Sequence, residues 1–161
     1  EALSSDGYQV RLFDRTPSDF KRSDQEMIVG DIMNLEDVTK AIQGASIVYN
    51  FAAIADIDEA NEKPLVTAEI NILGNMNVLE ASRLAGVSRF IFASSVYVYS
   101  ESGSFYRASK QAAERFIETY QDRYGLDYTI LRYGSLYGRR TDDRNGIYLS
   151  LIHISEPTRR S

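Results

Sequence analysis

Short apolar runs alternate along this chain with longer stretches of helical periodicity. Residues 9–14, 26–29, 46–52, 89–95 and 127–132 are brief segments rich in Val, Ile and Phe, and they read as buried strands. Residues 35–43, 64–84 and 106–124 read as helices between them. The second helix has Pro64 near its first turn, Leu65, Ala68, Ile72, Met76 and Leu79 at helical spacing, and Gly86 beyond its end. The third puts Ala108, Ala112, Phe116 and Tyr120 on one stripe and stops before Gly125. Strands alternating with helices predict an α/β fold with a parallel sheet covered on both faces. No internal repeat or low-complexity linker interrupts the pattern.

The two ends depart from it. Glu1-Ala2-Leu3 reads as the last turn of a helix, ahead of a turn at Gly7-Tyr8. The last stretch, from about Leu149 to Ser161 (LSLIHISEPTRRS), resembles the translated read-through of a sequencing-library adaptor. Residues 149–161 are therefore expected to be a non-native tail, with residues 1–148 forming one domain.

Composition narrows the function classes. With 161 residues and 43% of them apolar, the chain can build one real core. A net charge of -5 without a long basic run argues against nucleic acid and anionic membranes as partners. There is no cysteine for a disulfide or thiolate metal site, and the single His153 cannot anchor a histidine site. No apolar run approaches a membrane span, and no signal-peptide pattern opens the chain. A soluble, cytoplasmic protein without a metal is expected.

The candidate chemistry lies at Tyr106 and Lys110, four residues apart, with Ser95 eleven residues before Tyr106. On a helix such a pair shares one face, and Ser95 ends the preceding predicted strand. A nearby ammonium favours the phenolate and lowers a tyrosine pKa, which suits a general acid or base. Alone, the spacing also describes an ordinary exposed helix pair.

Further marks stand in order around that trio: Phe13-Asp14-Arg15, Gly30-Asp31-Ile32, Asn50-Phe51-Ala52-Ala53, Asn71-Ile72-Leu73-Gly74, Phe92-Ala93-Ser94-Ser95 and Leu131-Arg132-Tyr133 through Tyr137-Gly138. With them, the chain resembles the extended short-chain dehydrogenase/reductases, in particular the NAD-dependent epimerase/dehydratase family that includes UDP-glucose 4-epimerase. The resemblance covers Gly7 to about Gly146. It implies a Rossmann-type, doubly wound sheet and an enzyme that oxidises a sugar hydroxyl transiently, typically on a nucleotide sugar.

The resemblance also assigns roles. Ser95, rather than Ser94, would hold the substrate oxygen. Tyr106 would exchange its proton, and Lys110 would bond the nicotinamide ribose and depress the Tyr106 pKa. Asp14 would accept the adenosine ribose hydroxyls, which favours NAD over NADP, although Arg15 beside it could accept a 2′-phosphate. Asp31 would bond the adenine amino group with Ile32 packing near the ring, while Asn34 is better placed to cap the next helix. Phe51, Ala52, Ala53 and Ala55 form a loop expected beside the pyrophosphate and nicotinamide ribose. Asn71, unfavourable in mid-helix, would contact loop backbone near the cofactor. Gly134 borders nicotinamide and substrate; with Ser135 it replaces the family's aromatic-asparagine pair, and Arg139 stands where proline is usual. The segment from Val96 to Phe105 is shorter than in the sugar-nucleotide epimerases. Two readings compete with the epimerase/dehydratase: an NAD(P)-dependent reductase of a non-sugar alcohol, and a non-catalytic dinucleotide sensor or scaffold. The parent protein is expected to pair through the second and third helices as a homodimer.

The family's glycine-rich turn is absent. It precedes the acidic residue by about 20 residues, so counting back from Asp14 puts it before Glu1. The first strand is expected to be missing with it, and in the order 3-2-1-4-5-6 that strand is central. The first two visible strands should therefore separate from the last three, exposing two hydrophobic edges. The expectation is a gene fragment, a partial NAD(P)-binding domain poorly folded alone and catalytically inactive.

Overall fold

The structure, a computed structural model, describes residues 2–136. In chain order its elements are α1 (Ala2–Ser5), β1 (Arg11–Asp14), β2 (Glu26–Val29), α2 (Leu35–Ile42), β3 (Ile47–Asn50), α3 (Ile57–Glu62), α4 (Pro64–Ala68), a π-helical turn (Glu69–Gly74), α5 (Asn75–Leu84), β4 (Arg89–Ser95), a 3-10 turn (Val96–Tyr99), α6 (Ser104–Tyr124) and β5 (Tyr128–Tyr133). The anticipated strands and helices are present within a few residues of their predicted ends. The short α3 and the 3-10 turn are additions, because one or two turns cannot show a 3.6-residue period. The proposed tail, His153, Arg139 and Tyr137-Gly138 lie outside the described residues.

The strands form two parallel sheets. β1 pairs with β2, while β3, β4 and β5 form a second sheet in that order. This is the separation expected between the first two strands and the last three. A helix layer joins the sheets. α2 packs against α5, and Asn77 of α5 donates to the carbonyls of Ile32 (3.0 Å) and Met33 (3.2 Å) after β2. Gly74 allows a close approach: a Cβ there would lie 3.0 Å from the Ile32 side chain. The Asn34 side chain accepts from the N–H groups of Glu36 and Asp37, so it caps α2 as anticipated. From β1, Arg11 donates to the carbonyls of Ala41 (2.9 Å) and Gln43 (2.8 Å), which lack intrahelical donors at the end of α2.

The main core lies under the second sheet. Phe90 and Phe92 of β4, Leu79 of α5 and Ala113 and Ile117 of α6 are 0–2% exposed. A large side chain so buried contributes about 1.5–3 kcal/mol. Helices cover this face of the sheet. On the other face of β3 and just beyond it, Ile47, Tyr49 and Phe51 are 42%, 39% and 59% exposed. The outer face of the edge strand β3 is therefore open among the described residues, while Ile91 and Ala93 of β4 are half-buried.

Two helical stripes also differ from expectation. Leu65 is 78% exposed, and the residues buried along 64–84 are Thr67, Asn71, Gly74, Asn75, Val78, Leu79, Ala81 and Ser82. The π turn at Glu69–Gly74 is the reason, since its wider turn rotates α5 relative to α4. On α6, Ala108 is exposed, whereas Tyr106, Ser109, Lys110, Ala113, Glu114 and Ile117 are buried. Polar groups occupy the inner stripe because each finds partners there, and the apolar periodicity tracks a face turned partly outward.

Candidate active site

β4 delivers Ser95 at its C-terminal end, where the Ser95 hydroxyl accepts the Tyr97 N–H (3.3 Å) and opens the 3-10 turn. α6 begins after the next loop. Its first two turns bring Tyr106 and Lys110 beneath the end of the same strand, 9% and 3% exposed. That burial excludes the reading of the two as an exposed helix pair. The Lys110 ammonium donates to the Ala93 carbonyl at 2.8 Å, 4.8 Å from the centre of the Phe92 ring and 5.8 Å from that of Tyr106. Tyr97 meets Tyr106 edge to face with centroids 6.4 Å apart.

The electrostatics differ from the simple pairing argument. Burial pushes the Tyr106 phenol up; the Ser95 hydroxyl opposes this, and Tyr97 adds to it. Burial pulls Lys110 down to about 8. The phenol is thus raised where the pairing argument expects it lowered: burial is the largest cause for both groups, and the ammonium donates to the Ala93 carbonyl.

A polar clamp holds the adjoining loop. The Asn71 carbonyl oxygen accepts the Ile54 N–H (2.8 Å), and its amide donates to the Ile54 carbonyl (3.0 Å) and the Ser109 hydroxyl (2.9 Å). Ser109 in turn donates to the Tyr106 carbonyl at 2.8 Å. The loop bearing Phe51, Ala52, Ala53 and Ala55 is thus tied to the helix carrying Tyr106, and Asn71 contacts loop backbone as anticipated. Phe51 stacks on Tyr49 at 6.1 Å, and Ala52 donates its N–H to Asn50 (3.2 Å). Exposed Gly134 comes directly after β5.

The remaining predicted positions sit on the other sheet. Asp14 is exposed at the end of β1, and its carboxylate accepts the Thr16 N–H at 3.1 Å. Arg15 beside it is exposed. Asp31 accepts the Met33 N–H (2.9 Å), and Ile32 is buried against α5. The structure thus gathers Ser95, Tyr106, Lys110, Asn71 and the 51–55 loop, and leaves Asp14, Arg15 and Asp31 across the divide. Sequence reasoning misses Ser109, Glu114 and Asn75, whose side-chain oxygen accepts from the Asn50 amide at 2.8 Å. Their signal was polar residues recurring at helical spacing on the inner faces of α5 and α6.

Residues 1–155 match the family model described as the NAD dependent epimerase/dehydratase family. The chain belongs to the NAD dependent epimerase/dehydratase family. It is 29% identical to a putative UDP-glucose 4-epimerase of Methanocaldococcus jannaschii, an alignment covering 97% of this chain and 57% of that protein. A 3-beta-hydroxysteroid dehydrogenase of Mycolicibacterium neoaurum is 28% identical over 83% of this chain and 42% of its own length. Among solved structures, the Thermus thermophilus UDP-glucose 4-epimerase in complex with NAD superposes with a TM-score of 0.79 at 30% identity, covering 94% of this chain and 55% of that one. The chain spans about half the length of the relatives it matches. Among the described residues no helix is long and apolar enough to cross a membrane, and no cluster of acidic and histidine side chains could hold a metal.

Proposed function

We propose that the full-length protein oxidises a hydroxyl of a nucleotide sugar transiently with NAD, as an epimerase or dehydratase, at a site formed by Ser95, Tyr106 and Lys110. The convergence of these three side chains at the end of β4 carries the reading. NAD fits the groups present. Asp14 offers a carboxylate at a strand end to ribose hydroxyls, and Asp31 and Ile32 lie just past the neighbouring strand. The small residues of the 51–55 loop allow a ligand to approach backbone closely. When bound, NAD takes up hydride and returns it. Ser95 holds the substrate oxygen through its hydroxyl. Tyr106 receives the hydroxyl proton at its phenolic oxygen and gives it back, and Lys110, anchored on the Ala93 carbonyl, would reach the nicotinamide ribose.

Tyr106→Phe in the full-length protein tests this. Turnover of UDP-glucose should fall by about 100-fold or more, while NAD affinity stays within about threefold, as expected when only proton transfer is lost. Unchanged turnover would refute the proton-transfer role. The steroid dehydrogenase relative favours a second reading, net oxidation or reduction of a non-sugar alcohol. Net formation of NADH from such an alcohol, with no sugar epimerised, would select it.

The 161-residue chain by itself is expected to be inactive, because the sheet bearing Asp14 is not hydrogen-bonded to the one bearing Ser95. A cooperative thermal transition together with tight NAD binding by residues 1–161 would overturn this. A homodimer is the expected assembly. Exposed Leu65 and Leu73 line a shallow apolar cleft of about 350 Å³ with Ala68 and Ile72, a surface suited to a second copy. Leu65→Glu with Leu73→Glu should yield monomers in sedimentation.

A further inference from the structure

Glu114 is a carboxylate on the inner face of α6, one turn beyond Lys110, and it is 7% exposed. A carboxylate there costs folding energy unless it is paired and hydrogen-bonded. It is both. Ser94 donates its hydroxyl to Glu114 Oε1 at 2.5 Å, and Arg132 of β5 donates Nε to Oε1 (3.0 Å) and Nη2 to Oε2 (2.7 Å). Burial pushes the Glu114 carboxyl up, but Arg132 and Ser94 outweigh it and hold the group below its ordinary range.

The partners flank the reactive serine. Ser94 immediately precedes Ser95, and Ser94 and Arg132 are register neighbours on β4 and β5. The remaining guanidinium nitrogen, Nη1, donates to the Tyr99 hydroxyl, and the guanidinium lies 4.9 Å over the Tyr99 ring. Tyr99 closes the 3-10 turn that Ser95 opens. Ser95 is therefore bracketed: the residue before it is tied to α6 through Glu114, and the turn after it is tied to the same carboxylate through Arg132. A cleft of about 420 Å³ runs past this network and keeps Arg132 in partial contact with water.

An ion pair with its carboxylate buried is seldom the most stable way to fill such a space, since apolar residues of similar volume often do as well or better. What it adds is fixed geometry, because a bidentate arginine–carboxylate pair has one favoured arrangement. We propose that Glu114 and Arg132 are positioning residues that hold Ser95 in register with Tyr106 and Lys110. This rests on the reading of those three as the reactive site.

The test uses the full-length protein with UDP-glucose and NAD. Glu114→Gln keeps the side-chain shape and an acceptor for Ser94 but removes the ion pair. Its kcat should fall about 10–100-fold, as for a small misplacement of reacting groups, with KM and NAD affinity within about threefold. The pH profile of kcat/KM should shift to higher pH, because a displaced Ser95 hydroxyl no longer opposes the rise in the Tyr106 phenol. Glu114→Asp should recover part of the rate.

Tyr99→Phe provides a variant that does not disturb the core, since Tyr99 is 73% exposed. It should lower kcat by about two- to tenfold, the effect of one hydrogen bond, and cause no further loss in an Arg132→Gln background. A Glu114→Gln enzyme with kcat within about twofold of wild type, or one that loses rate with an unmoved pH profile, overturns the proposal while Tyr106→Phe remains inactive. If Glu114→Gln does not fold, an unimpaired Tyr99→Phe overturns it equally. An active Tyr106→Phe removes the site reading and this proposal together.

Discussion

The two sheets of this molecule are built from similar strands and end in different states. In the β3–β4–β5 sheet, alternate residues of β4 disappear into a core with α5 and α6, and near the strand's end Ser95 meets the buried Tyr106 and the Ala93 carbonyl meets the buried Lys110. In the β1–β2 pair the burial pattern of each strand is exposed at both ends and only partial between them. The difference teaches where preorganisation resides. The groups proposed to move protons are locked by packing and buried hydrogen bonds, whereas Asp14 and Asp31 are held by surface turns.

That contrast can be broken by mutation, most strongly in the core. Phe92→Ala should cost about 3–5 kcal/mol, whereas Phe13→Ala, only partly buried beside the same core, should cost about 1–2 kcal/mol. Denaturant unfolding of the full-length protein measures both. Equal costs would mean that the two sheets are equally packed.

Lys110 sharpens the comparison through pH. Its amine is lowered from 10.5 to about 8, and at about 1.4 kcal/mol per pKa unit this is a penalty of about 3 kcal/mol on the charged form. Below pH 8 both folded and unfolded states are protonated and the penalty is present in full. Between pH 8 and 10.5 the folded state sheds its proton first, so stability rises with pH, and above 10.5 the penalty is gone. Lys110→Met should therefore raise Tm at about pH 7 while abolishing turnover, and the gain should fade toward pH 10.5. A pH-independent difference would contradict the burial argument.

Asn71→Ala should be next. It strips partners from Ile54 and Ser109 in a buried setting, at about 2 kcal/mol, and should slow turnover by loosening the 51–55 loop. Stability without any loss would show that water replaces the clamp. Asp14→Ala is expected to have the smallest structural effect, within about 0.5 kcal/mol, yet to weaken NAD binding severalfold in calorimetry. An unaltered NAD affinity would remove Asp14 from the cofactor site.

Much of this was legible beforehand, and for identifiable reasons. Glu26–Val29 and Arg89–Ser95 match their predicted strands because compact apolar runs in an α/β chain have few alternatives. Asn34 was readable as a cap because its side chain needs only local N–H groups. The apolar stripes through Leu65 and Ala108 misled because periodicity records where apolar residues lie, and not which face a neighbour covers. The inner stripe of α6 carries Ser109, Lys110 and Glu114, whose partners Asn71, Ala93 and Ser94 lie 38, 17 and 20 residues away in the chain.

The sequence by itself determined the order of strands and helices, the i, i+4 placement of Tyr106 and Lys110, and the serine that ends the fourth strand. These depend on spacing and local propensity, which the chain carries at every point. Only the tertiary structure decided that the tyrosine and lysine are buried, that burial pushes the phenol up and the amine down, and that one carboxylate ties two strands and a turn around Ser95. Those outcomes depend on dielectric environment and on contacts between distant segments, which exist only once the chain has folded.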